Sequence, residues 1–193
     1  ALPSSPSNSP AIAAPDPALV VRDSLRIDLA DCGGRAAELA QIKRWILAER
    51  CRTVVLWGLP GVGKTTLAAA IAAAIGPQVD QCGYLALPPD ITDEVGLAAI
   101  SHWLNPNAPA LSPPAAVDWV LDQLEQRRVL LILDDMDQLF APQQLLGTYR
   151  ADTTALQRLF QQGAERHHQS CLLWVSREKP ADFSQVQGPR VQE

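Results

Sequence analysis

The chain is poor in the features that mark several broad classes of protein. Only four of its 193 residues are cysteine, Cys32, Cys51, Cys82 and Cys171, and they form neither a CxxC pair nor a metal-ligand spacing with histidine. That density is far below a small secreted scaffold's, so reduced thiols in a cytoplasmic protein are expected. No stretch has the roughly 18 uninterrupted apolar residues of a membrane span, and the start lacks the basic and apolar regions of a secretory signal. A net charge of -5 argues against a sequence-independent grip on nucleic acid, which needs clustered Lys and Arg. A small anionic ligand stays open, because a local site can oppose the global charge.

What is present points to one folded domain. With 47% hydrophobic residues the chain can bury one good core. The first 19 residues carry five prolines and four serines with no periodic apolar face, so residues 1–24 read as a disordered linker and 25–193 as the domain. A start without methionine, in linker-like sequence, creates the expectation of another domain upstream. After the linker, "RAAELAQIKRWILAER" spaces Leu39, Ile42, Trp45 and Ile46 as on one helix face. The runs "RTVVLWG", "VLLILDD" and "CLLWVSR" read as strands, with "CGYLAL" a weaker fourth, and helices are expected over 65–75, 94–104, 115–127 and 154–167. Apolar strands alternating with helices predict an α/β fold with a parallel sheet covered on both faces, in three α/β/α layers. "NPNAPALSPP" reads as a surface loop, and the five tryptophans, Trp45, Trp57, Trp103, Trp119 and Trp174, read as core.

Residues 58–65 match G-x-x-x-x-G-K-[ST] between a predicted strand and a predicted helix, the context that gives this motif meaning. Gly58, Gly61 and Gly63 allow a turn that points successive N–H groups inward, around Leu59, Pro60 and Val62. The opening amides of the helix, at Lys64, Thr65 and Thr66, lack intrahelical partners, and the dipole there is positive, so a phosphate suits both. Lys64 is expected on the β and γ phosphates and the Thr65 hydroxyl on Mg²⁺. A glycine-rich turn of this pattern arises by chance in such a chain on the order of one time in a hundred, and the strand-to-helix context lowers that further.

"RRVLLILDDMDQLF" ends an apolar strand in Asp134 and Asp135, at the strand end where ligands bind in open α/β sheets. It matches a Walker B element. Asp134 is the expected Mg²⁺ ligand, directly or through water, and Asp135 the group that orients or deprotonates the attacking water, against the bland alternative of a helix cap. For Asp137 the cap is the favoured reading. Arg177, at the end of "CLLWVSR", is placed to sense a γ-phosphate, against a simple pairing with Glu178 or solvent. Arg127 and Arg128 read as cations favoured at a helix C-terminus, and the three histidines as structural or exposed.

"GGRAAELAQIKRWI", "LWGLPGVGKTTLA", "RRVLLILDDMDQL" and "HHQSCLLWVSREKP", in that order, resemble the NB-ARC nucleotide-binding domain of STAND-class P-loop signalling NTPases, over roughly residues 30 to 193. The resemblance implies an ATP/ADP-controlled molecular switch in signal transduction, fused to an upstream effector and to downstream winged-helix and repeat domains, and oligomerising when activated. It places Gly34 and Arg35 near adenine and ribose, Glu38 at the family's acid, and Arg177 at the sensor arginine. Gly33 stands where that family has a bulky apolar residue, and Pro60 where many relatives have glycine. The chain ends at "VQGPRVQE", about where a fifth strand begins, which implies a core without the later subdomains, with weak nucleotide affinity and at most slow Mg²⁺-dependent hydrolysis. A P-loop kinase, an AAA+-type ring ATPase and a nucleotide-indifferent scaffold are the alternatives. A kinase would need an arginine-rich lid, which is not found, and the ring ATPases usually end this strand in Asp-Glu.

Overall fold

The structure, a computed structural model, describes residues 34–142, 148–179 and 191–192. The linker expected over 1–24 lies outside them. Helix α1 (Ala36–Leu47) leads into strand β1 (Thr53–Trp57), the glycine loop and α2 (Lys64–Ile75). Then follow β2 (Gln81–Ala86), α3 (Asp93–Leu104), α4 (Pro113–Gln126), β3 (Val129–Asp134), α5 (Thr154–Glu165), β4 (Cys171–Ser176) and a short β5 (Val191–Gln192). The sheet order is β2-β3-β4-β1-β5, and every pairing is parallel. The fifth strand thus starts where the sequence suggested.

Strand alternation divides the core in two. Leu131 and Leu133 of β3 face α3, α4 and α5, whereas Leu130 and Ile132 face α1 and α2. β3 and β4 are buried along their whole length, as strands covered on both faces must be. This is the three-layer α/β/α core that the sequence predicts.

The loop expected over "NPNAPALSPP" gives up its last two residues to α4, because proline fits the first helical turn, whose N–H groups are unpaired anyway. α2 stops at Ile75, ahead of a 3₁₀ turn at Gly76–Gln78, as Gly76-Pro77 suggested. Arg127 is the C-cap residue of α4, and both arginines also reach neighbouring helix ends: Arg127 donates to Leu104 O of α3 and Arg128 to Ile46 O of α1. His168 is buried between the carbonyls of Gly163 and Ser170, while His102 and His167 are exposed.

Trp57 corrects the expectation of a core tryptophan. Trp174 is buried, and Trp45, Trp103 and Trp119 pack half-buried against the core, but Trp57 is 50% exposed. Burial along β1 fades toward its carboxyl end, from buried Val55 through half-buried Leu56 to exposed Trp57. The indole there lies under the Lys179 ammonium, 5.9 Å from the ring centroid.

Candidate nucleotide site

Three strands end at one edge of the sheet, and register sets what meets there. Trp57 lies opposite Ser176 and Leu133 opposite Trp174. Gly58, Arg177 and the Asp134-Asp135 pair therefore leave the sheet at nearly one level.

The loop from Gly58 to Gly63 is built by glycines in conformations other residues avoid, with φ of 148° at Gly58, 78° at Gly61 and 84° at Gly63. A Cβ at Gly61 would meet nothing within 4 Å, so its backbone angle rather than crowding calls for glycine. Gly63 is the N-cap of α2, and α2 has neither a side-chain cap nor an acid in its first turn. α3 is the contrast: Thr92 Oγ1 accepts from Val95 N, and Asp93 and Glu94 occupy the first turn. The first amides of α2 thus open onto the loop with no carboxylate or hydroxyl cap against them, an arrangement that fits a phosphate. Lys64 Nζ donates to Gly58 O at 2.8 Å and to Leu59 O at 3.0 Å, holding its ammonium over the loop. Pro60 and Val62 are exposed in the loop, and Thr66 follows half-buried on α2.

Gly34 makes the turn into α1 with φ 101°, and Arg35 is that helix's N-cap residue. The Arg35 guanidinium donates to Val62 O and would lie 3.9 Å from a Cβ on Gly63. It stands against the glycine loop itself. Glu38, on the same helix, lines a cleft of about 450 Å³ with Gln41, Trp45, Leu56 and Leu67.

Asp134 is buried and its carboxylate is held from three sides. Oδ2 accepts from Thr65 Oγ1 at 2.8 Å and from Tyr84 Oη at 2.6 Å, and Oδ1 accepts from Asp135 N at 2.8 Å. The Thr65 and Asp134 oxygens sit about as far apart as neighbouring ligands of an octahedral Mg²⁺, roughly 3 Å for bonds near 2.1 Å. Among the described residues no group of three or more His, Cys, Asp or Glu could hold a metal. A cation here therefore fits only if phosphate and water complete its shell, as Mg²⁺ allows.

Asp135 turns the chain in the left-handed region, φ 56° and ψ 39°, which Asp tolerates better than most residues. Burial of its carboxyl, then repulsion from Asp134 and Asp137, pushes it above the ordinary carboxylate range, against smaller opposing pulls from Arg177 and Lys64.

Asp137 does not cap a helix as expected. It lies inside the 3₁₀ turn Met136–Leu139 and accepts from Arg177 through the backbone N at 3.3 Å, through Nε at 2.8 Å and through Nη2. Burial pushes the Asp137 carboxyl up, but these Arg177 bonds and its charge outweigh that and hold it below the ordinary range. Arg177 is thus committed to Asp137, not to Glu178 or to solvent alone. The pair lines a cleft of about 430 Å³ with Pro89, Gln138, Phe140 and Arg150.

Tyr84 joins this site with no sequence motif to mark it. The signal was faint: an aromatic on the weakest strand, two residues short of its end.

Residues 52–185 match the family model described as NACHT domain. The chain is 32% identical over 168 residues to an uncharacterized WD repeat-containing protein of Nostoc sp., covering 80% of this chain and 13% of that protein. It is 30% identical over 120 residues to a disease resistance protein of Arabidopsis thaliana, covering 60% and 9%. The chain therefore spans only about a tenth of these relatives. A chain in the structure of the E. coli MS115-1 HORMA:CdnC:Trip13 complex shares the fold, with TM-score 0.50 and 16% identity over 85% of this chain and 63% of that one. The STAND class is the one the motifs implied, and the family model that matches is NACHT rather than NB-ARC. On the match over residues 52–185, the chain belongs to the NACHT domain family of STAND-class NTPases.

Proposed function

We propose that the chain is the ATP/ADP-binding core of a STAND signalling protein, a nucleotide-dependent switch with slow or no hydrolysis of its own. The observation that carries this is the uncapped N-terminus of α2, opening onto a loop of left-handed glycines with the Lys64 ammonium above it. An anion of phosphate size satisfies those amides, and Lys64 exchanges two carbonyls for phosphate oxygens. Thr65 and Asp134 would hold Mg²⁺, which would offset phosphate charge when bound. Asp135 orients or deprotonates water at the sheet edge, and Arg177 senses the γ-phosphate by leaving Asp137 for it. Gly34, Arg35 and Glu38 belong to the base and ribose side by likeness to NB-ARC domains, although the Arg35 guanidinium stands against the phosphate loop at Val62 and Gly63.

The WD-repeat and disease-resistance relatives are far longer than this chain, which supports a core fused to other domains. Residues 25–193 are read as the nucleotide-binding domain and 1–24 as its linker. Effector and repeat domains, adenine preference, assembly on activation and a cytoplasmic setting complete the proposal. No helix among the described residues is long and apolar enough to cross a membrane.

The test compares ATP and ADP affinities in wild type and Arg177→Ala. The switch reading expects the substitution to weaken ATP several-fold and leave ADP within twofold. Equal loss for both nucleotides contradicts a γ-phosphate sensor.

A further inference from the structure

The Asp134 carboxylate has a partner that no motif supplies. Tyr84 lies opposite Ile132 in the β2–β3 register, and both face the α1 and α2 layer. Asp134 is two residues beyond Ile132 and so lies on the same face, diagonal to Tyr84, within reach of a phenol but not of a shorter side chain. The buried ring delivers Oη to Asp134 Oδ2 at 2.6 Å, the short distance typical of a hydroxyl on a carboxylate. The other oxygen, Oδ1, is fixed by Asp135 N. Backbone and phenol thus fix the rotation of the carboxylate about its last bond from the β2 and β3 side. Thr65, the third contact, comes from the opposite element, at the start of α2.

We propose that Tyr84 is the positioning residue for cation binding at this site, an inference that rests on the nucleotide-binding reading above. The phenol keeps Oδ2 turned toward Thr65, so the two oxygens that would meet the cation are already in place before it arrives. Outer partners of metal-holding groups typically govern metal affinity by 10- to 100-fold. Tyr84 acts through Asp134, without touching nucleotide or phosphate.

The experiment is calorimetric titration of ATP into the 193-residue chain, once in EDTA and once in excess Mg²⁺, for wild type, Tyr84→Phe, Asp134→Asn and the double variant. The readout is the ratio of the two Kd values. Tyr84→Phe is expected to leave the EDTA Kd within twofold, which also reports an intact fold, and to reduce the Mg²⁺ enhancement by about tenfold. In the Asp134→Asn background the same substitution should change nothing further. An unchanged ratio in Tyr84→Phe, or an equal loss in both backgrounds, overturns the role of Tyr84 while leaving nucleotide binding standing. A wild type that binds no ATP, or binds it equally with and without Mg²⁺, overturns the underlying reading and this inference with it.

Discussion

Arg177, the first residue after β4, and Asp137, in the turn after β3, form an ion pair across the sheet edge, with the arginine side chain 52% exposed and the aspartate side chain only 8%. The more buried partner is the one that suffers if the pair is broken, because Asp137 would keep its desolvation without its counter-charge. Arg177→Met is expected to lower stability near neutral pH, by about 1 kcal/mol or less because the arginine is half open to solvent. The folded-state pKa of Asp137 is depressed, so the pair's contribution is fully present above the unfolded carboxyl value near 3.9 and fades as pH falls through the folded one. Thermal melts of both proteins from pH 6 to pH 3 check this. The gap between their midpoints should narrow toward the acid end, and a constant gap would show that Asp137 is not the group involved.

Asp135 is displaced the other way, above the ordinary range, by burial and by its two acidic neighbours. A general base with a raised pKa loses its function as pH falls through that value, earlier than an unperturbed carboxylate would. Any ATP hydrolysis by the chain should be slower than about 1 per second, and its kcat/KM, which reports the free protein, should show an acid limb above the usual Asp range. Asp135→Asn should remove the hydrolysis and keep ATP affinity within a few-fold. Single-turnover cleavage across pH reads both, and hydrolysis that survives the substitution assigns the water to another group.

Asp93 opens α3, yet its carboxylate serves α5, with Oδ2 accepting from Ala155 N and Oδ1 from Leu156 N at 2.8 Å each. These are first-turn amides of a helix that Thr153 leaves without a side-chain cap. Asp93→Ala should cost about 2 kcal/mol, at the upper end for a lost cap because the bonds are buried and charge-assisted. Urea unfolding would measure it. Nucleotide affinity should not change, since α5 packs on the face of the sheet opposite α2.

Most of the fold was readable because its signals are local. Apolar runs of strand length ending in Gly58, Asp134 and Arg177 gave the three central strands, and helix starts were placed within one or two residues of the observed ones. The glycine loop could be recognised for the same reason, since its geometry is encoded within eight consecutive residues. What escaped depends on packing between distant segments. The bond from Tyr84 to Asp134 joins residues 50 apart, and the pair of Arg177 with Asp137 spans 40. Neither can be seen until the β2-β3-β4 order is known. Composition favours burial for tryptophan, whereas the exposure of Trp57 follows from its place at the end of β1, which only the fold shows.

In the proposed function the loop of Gly58 to Gly63 with Lys64 binds the phosphates of an adenine nucleotide. Isothermal titration of the chain with ATP, ADP and GTP, beside Lys64→Ala, tests it most directly. Saturable binding of ATP and ADP, weaker binding of GTP and at least tenfold loss of affinity in the variant are expected. Wild-type affinity retained in Lys64→Ala, or no nucleotide bound by either protein, would contradict it.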